Sequence, residues 1–150
     1  MLIVLMILGV LALVTTSYLV WLHYNEDITG FCSEESRFDC MKVNQSKYAS
    51  FWGIPVANLG LAFYIGFFLL SLGLYNGFDL RKIHRKIKRK HAYWLVFLIP
   101  FIGTLFSLRL TYYEAFVLKT WCPFCIIQQI LIFIMLIVSY FLLKKRHLIQ

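Results

Sequence analysis

Charge is what this sequence has least of. Only 15% of its 150 residues are Asp, Glu, Lys or Arg, and just seven of them are acidic. A soluble domain usually carries about 25% charged residues, so the composition speaks against a soluble fold. Charge is missing entirely from four runs, 1–25, 48–78, 92–108 and 120–143. There are no internal repeats and no low-complexity tracts. Histidines in metal-ligand spacing are also lacking, since His23, His84, His91 and His147 stand singly at the ends of the apolar runs.

What is present is apolar and aromatic. Hydrophobic residues make up 61% of the chain and aromatic residues 18%, and the mean hydropathy is +0.74. A helix needs about 20 apolar residues to cross roughly 30 Å of hydrocarbon. Three runs satisfy this outright. The third continues past Arg109 through Leu110, Tyr112 and Tyr113, and a lone Arg near a helix end can snorkel to the interface. The sequence therefore predicts spans near 2–22, 53–76, 92–113 and 122–143. The first run has no basic leader and is longer than a usual signal-peptide core, so it is expected to be a span.

The basic residues are unevenly placed. "RKIHRKIKRK", 81–90, holds seven of the fifteen Lys and Arg residues, and the tail "KKRH" holds three more. The first connecting loop instead holds Glu26, Asp27, Glu34, Glu35 and Asp39 against Arg37, Lys42 and Lys47. Lys and Arg collect in short cytoplasmic loops, which predicts that loop 77–91 and the C-terminus are cytoplasmic and that loop 23–51 faces outward. The net charge of +8 then reads as a topology signal touching anionic lipid, and nucleic acid is not an expected partner.

All four cysteines fall on the predicted outer side, where disulfides persist: Cys32 and Cys40 in the loop, Cys122 and Cys125 at the mouth of the last span. In "TWCPFC", Trp121 suits a membrane interface and Pro123 suits the first helical position. Cys122 is then the N-cap and Cys125 shares its helix face. Their Cα atoms are expected about 5–6 Å apart, within disulfide range. The helix N-terminus lowers a thiol pKa, so the pair is suited to cycle between thiolate and disulfide. An inert disulfide here would close too short a loop to stabilise much. The Cys32/Cys40 pair, taken alone, reads as a loop staple or as a mobile relay. A four-cysteine zinc site fits poorly, because one pair is widely spaced and the other opens an apolar helix, and no metal is expected. "NQS", 44–46, spells a glycosylation sequon inside a predicted helix.

In order, Cys32, "CMKVNQSKYASFWGIP" at 40–55, Gly60 with Tyr64, and "WCPFC" before the last span resemble the vitamin K epoxide reductase family in its short prokaryotic form. The resemblance runs over the whole chain. It implies a four-helix bundle around a quinone pocket, capped by a short membrane-surface helix that segment 43–52 would form. It implies that Cys125 reacts with quinone, that Cys122 exchanges with Cys40, and that Cys32 and Cys40 accept electrons from an outside dithiol. Ser46, six positions after Cys40 as in the family, would lie near the quinone. Trp52 on the cap helix, Asn58 near the position of an animal-enzyme asparagine, and Arg109 complete the expected quinone contacts, with snorkelling the rival role for Arg109. Gln129 stands where vertebrate enzymes have tyrosine, which favours quinone reduction over epoxide chemistry.

The expectation is thus an all-α integral membrane protein, one domain over 1–150, built as a four-transmembrane-helix bundle with an outer loop and a short surface helix. It would pass electrons from a secreted thioredoxin-like dithiol protein through Cys32/Cys40 and Cys122/Cys125 to a quinone of ubiquinone, menaquinone or vitamin K type, driving disulfide formation. It would lie in the plasma or inner membrane, or in the ER membrane of a eukaryote. The disulfide-bond protein B family carries its CxxC pair in the first half of the chain and fits less well. Vitamin K epoxide reduction proper and a non-catalytic membrane protein with structural disulfides are the alternatives.

Overall fold

The computed structural model describes residues 1–25, 40–77 and 89–147. Cys32 with the rest of 26–39 in the predicted outer loop, and 78–88 in the basic loop, lie outside the described residues. Among the described residues, four helices are long and apolar enough to cross a membrane: Leu2–Tyr24, Val56–Tyr75, His91–Leu118 and Pro123–Lys145. They belong to α1 (Leu2–Tyr24), α3 (Val56–Tyr75), α4 (Arg89–Tyr112) with a following π-turn (Tyr113–Leu118), and α5 (Pro123–His147). An apolar phase offers the backbone no water, so every N–H and C=O must be satisfied within the segment, and the helix does this.

The helices close into a bundle in which α1 packs on α3 and α5, and α4 packs on α5, with α3 meeting α4 more sparsely than these pairs. Lipid tails are as apolar as Leu, so association depends on close packing and small residues. Gly9 of α1 packs against Phe67 and Phe68, and Gly60 of α3 against Thr16, at distances where a Cβ would make ordinary van der Waals contact. Leu5, Ala12, Phe67, Val96 and Met135 are buried in the main core. Leu19, Leu22, Cys40, Val43, Ala57 and Cys122 form a second core at the other end.

Between α1 and α3, the described chain caps this second core. Helix α2 (Cys40–Asn44) and a 3-10 turn (Lys47–Ala49) lead into a hairpin of β1 (Ser50–Phe51) and β2 (Ile54–Pro55), paired antiparallel with Ser50 opposite Pro55 and Phe51 opposite Ile54. The cap helix therefore begins at Cys40 and ends at Asn44, earlier than the predicted 43–52. Trp52 and Gly53 have φ of 52° and 78°, the left-handed pair that closes a two-residue hairpin. A left-handed Trp costs roughly 1–2 kcal/mol. This turn is why the second membrane-length helix starts at Val56 and not near 53.

Contacts on two sides dock the cap. The Asn44 side-chain amide, buried, donates to the Leu19 carbonyl at 2.8 Å, and His23 Nδ1 lies 3.1 Å from the Asn44 carbonyl. Because that amide is buried and bonded, the sequon at 44–46 has no free attachment nitrogen. On the other side, Tyr48 stacks on Tyr113 with centroids 4.6 Å apart, and Lys47 and Arg109 lie over the outer ring faces.

Candidate functional site

Helix α5 starts as its sequence predicts. Pro123 is its first residue, and the Cys122 carbonyl accepts from the Ile126 N–H at 3.1 Å, so Cys122 is the N-cap. A cysteine has no oxygen with which to cap the exposed N–H groups. That task falls to Glu114, whose Oε2 accepts from the Cys122 backbone N–H at 3.2 Å. An anion at a helix N-terminus also meets the positive end of the helix dipole.

The π-turn delivers Glu114 to this place. Its wider turn carries the chain from α4 to Lys119, which closes it with a left-handed φ of 51°. The Thr120 N–H then donates to the Glu114 carbonyl at 3.2 Å. Glu114 is only 3% exposed, whereas Phe116 two residues on is 69% exposed. Single-turn π-bulges are frequent at functional sites. Sequence reasoning missed Glu114, although a signal existed: it is the only acidic residue after Asp79.

The thiols of Cys122 and Cys125 are free, and Cys40 is disulfide-bonded. Cys40 and Cys122 share the second core, with Cys125 packed at its edge. The Cys125 thiol is placed to donate its one hydrogen either to Cys122 or to the Glu114 carboxylate. The Cys122 thiol, between the membrane-length helices, is held below its ordinary pKa chiefly by the hydrogen bond from Cys125; burial and the Glu114 charge oppose this.

Cys125 also forms part of the wall of a cavity of about 390 Å³, within the usual range for small-molecule sites. Most of the wall is apolar, from Leu19, Phe63, Tyr64, Phe106 and Ile132, among others; Ser46, Asn44, Thr111 and Glu114 add polar atoms at the cysteine end, and Thr16 and Gln128 further in. A Cβ at Gly103 would have to displace the ends of Ile132 and Phe63, both on the cavity wall. Ser46 donates its hydroxyl hydrogen to the Val43 carbonyl at 2.8 Å, leaving its oxygen able to accept. Gln128 donates to the Ala12 carbonyl at 3.0 Å and to the hydroxyls of Thr15 and Thr16, while its own carbonyl oxygen is buried with no partner among the described residues.

Three of the predicted quinone contacts lie away from this cavity. Trp52 sits at the hairpin tip, 92% exposed, because the chain turns there and does not continue as a helix. Asn58 is on the flank of α3 beyond Ala57 and Gly60 and donates to the Tyr24 hydroxyl at 2.7 Å. Arg109 is exposed on α4, to one side of the cavity residues Phe106, Ser107 and Leu110, with its guanidinium 5.6 Å from the Tyr113 ring centroid. Gln129 likewise turns to α4, accepting from the hydroxyls of Ser107 and Thr111.

The model of the Vitamin K epoxide reductase family matches residues 3–140 of the 150-residue chain. No curated protein sequence matches it. With nearly the whole chain covered, the protein belongs to the vitamin K epoxide reductase family, and it is a multi-pass membrane oxidoreductase related to vitamin K epoxide reductase.

Proposed function

We propose that this family member is a thiol:quinone oxidoreductase, taking electrons from a thioredoxin-like exported protein and passing them to a membrane quinone. The observation that carries the reading is the placing of Cys125. Its side chain lines an apolar cavity large enough for a quinone ring, while Cys122, one helical turn earlier, is buried in the same core as Cys40. A dithiol with one sulfur toward a lipid-soluble acceptor and the other toward a second cysteine pair is suited to relay electrons between the two phases. Exchange is fastest with a good thiolate leaving group, and the lowered Cys122 pKa supports its role as the sulfur that exchanges with Cys40.

In this reading, the outside protein reduces the Cys32/Cys40 disulfide. The resulting dithiol reduces the Cys122/Cys125 disulfide. The Cys122/Cys125 dithiol then reduces quinone to quinol, and exported proteins gain disulfides. The cavity residues position the ring, with the Ser46 oxygen, on the same cavity wall as Cys125, as an acceptor for a quinol hydroxyl. The charge asymmetry of the connecting loops supports placing the cysteines on the outer side of the plasma or inner membrane.

The test is anaerobic reduction of a short-chain quinone by the purified protein with dithiothreitol as donor. Wild type is expected to turn over, and Cys122→Ala and Cys125→Ala are each expected to lose activity with every donor. Substantial turnover in either variant would remove that cysteine from the reaction. Vitamin K epoxide as the acceptor separates quinone reduction from epoxide chemistry.

A further inference from the structure

A carboxyl group inside an apolar bundle needs a reason. Taking a charge out of water costs several kcal/mol unless partners replace the solvent, and an ionisable residue within a membrane span is by default a functional-site candidate. Glu114 is 3% exposed and yet forms part of the cavity wall together with Cys125. One of its oxygens accepts from the Cys122 backbone N–H at 3.2 Å. The Cys125 thiol lies on the same cavity wall, one helical turn after Cys122. Carboxyl, thiol and cavity therefore meet at one point.

Capping α5 does not by itself require an acid. A neutral glutamine oxygen would accept the same backbone N–H. What the carboxylate adds is the ability to take a proton from the thiol that shares its cavity wall. The quinone step has protons to move, because two thiols lose theirs and two quinone oxygens gain them.

We propose that Glu114 is a catalytic residue of the thiol-to-quinone step, carrying the Cys125 proton to a quinone carbonyl oxygen. The inference rests on the thiol:quinone reading. In the balanced step, the S–H bonds of Cys122 and Cys125 break and a Cys122–Cys125 disulfide bond forms. Two electrons leave the sulfurs and reduce the quinone. The Cys125 proton passes by way of the Glu114 carboxylate to one quinone oxygen, and the Cys122 proton ends on the other. Glu114 finishes as the carboxylate that it began as. Among the described residues, the titratable groups facing it are the two thiols of the α5 mouth; Arg109 on its own helix is turned to the outer face against Tyr113.

The test compares Glu114→Gln with wild type in dithiothreitol-driven reduction of a short-chain benzoquinone or naphthoquinone by detergent-purified protein. Glutamine keeps the cap and loses the proton carrier. Positioned acid–base groups contribute about 100-fold or more, so kcat is expected to fall by about that factor with KM for quinone nearly unchanged. The variant must ionise its thiol unaided, so its rate is expected to climb about tenfold per pH unit below the ordinary thiol pKa of about 8.5, where wild type is nearly flat. Glu114→Asp, which keeps the carboxyl group, is expected to recover much of the loss.

A Glu114→Gln kcat within about threefold of wild type, or a pH profile parallel to wild type, would reduce Glu114 to a helix cap and overturn the proposal. If Glu114→Gln does not fold, a solvent deuterium isotope effect on wild-type kcat decides: its presence supports the proton carrier and its absence overturns it. Wild-type protein that reduces no quinone would instead refute the thiol:quinone reading itself, and the role of Glu114 with it.

Discussion

The Asn44 side-chain amide donates to the Leu19 carbonyl at 2.8 Å, joining the short cap helix to the end of α1. This bond sits beside Cys40 and Val43, both buried in the second core. It holds the base of the loop cysteine pair at a fixed height over the α5 mouth.

Asn44→Ala is accordingly expected to destabilise the protein by roughly 1–2 kcal/mol, the cost of a lost buried hydrogen bond. For a chain of this size that is a fall of about 3–8 °C in Tm, read in detergent by differential scanning fluorimetry. Cys40, once reduced, should also become more open to alkylation. An unchanged Tm together with unchanged alkylation would mean that the cap is held without Asn44.

The loop pair can be separated into relay or staple. A folded partner protein is bulky, and Cys122 is fully buried, whereas dithiothreitol is small. Cys32→Ala and Cys40→Ala are expected to lose oxidation of a thioredoxin-like protein while keeping part of the dithiothreitol-driven quinone reduction. A staple lost from the fold would cost typically about 2–4 kcal/mol and depress both rates together. The ratio of the two rates at equal folded protein is the readout, and an unchanged ratio would rule out the relay.

The pH behaviour of Cys122 has a definite sign. Its folded pKa is lowered, first by the hydrogen bond from the Cys125 side chain. In a Cys32→Ala/Cys40→Ala background its thiolate should therefore form below the ordinary thiol value of about 8.5. Adding Cys125→Ala removes the largest lowering cause; burial and the Glu114 charge, which raise the pKa, then act against only the backbone N–H groups of residues 124 and 125, which lower it. The midpoint followed by thiolate absorbance at 240 nm is expected to move up. A midpoint that stays or moves down would assign the lowering to the helix N-terminus and not to Cys125.

The membrane architecture was legible in the chain because its physics is one-dimensional. Crossing hydrocarbon requires an uninterrupted apolar length, and that length can be counted along the sequence. The N-cap at Cys122 was legible for a similar reason: proline is favoured at the first helical position, where its missing N–H has no partner to lose, and Pro123 takes that place. The pairing of Cys122 with Cys125 on one face followed from the helical period alone.

Which side chains meet in the cavity was not legible in this way. In a soluble helix the apolar stripe marks the inner face. Here lipid and bundle interior are equally apolar, so α1 and α3 carry no such stripe. Asn58, Arg109 and Trp52 were polar or aromatic at plausible heights, but rotation about α3 and α4 and the turn at Trp52–Gly53 set all three away from the cavity. Glu114 was missed for the converse reason. A π-turn inserts a local change of register that no periodic pattern announces, and only the packing of α4 against α5 turns that carboxyl inward onto the two cysteines.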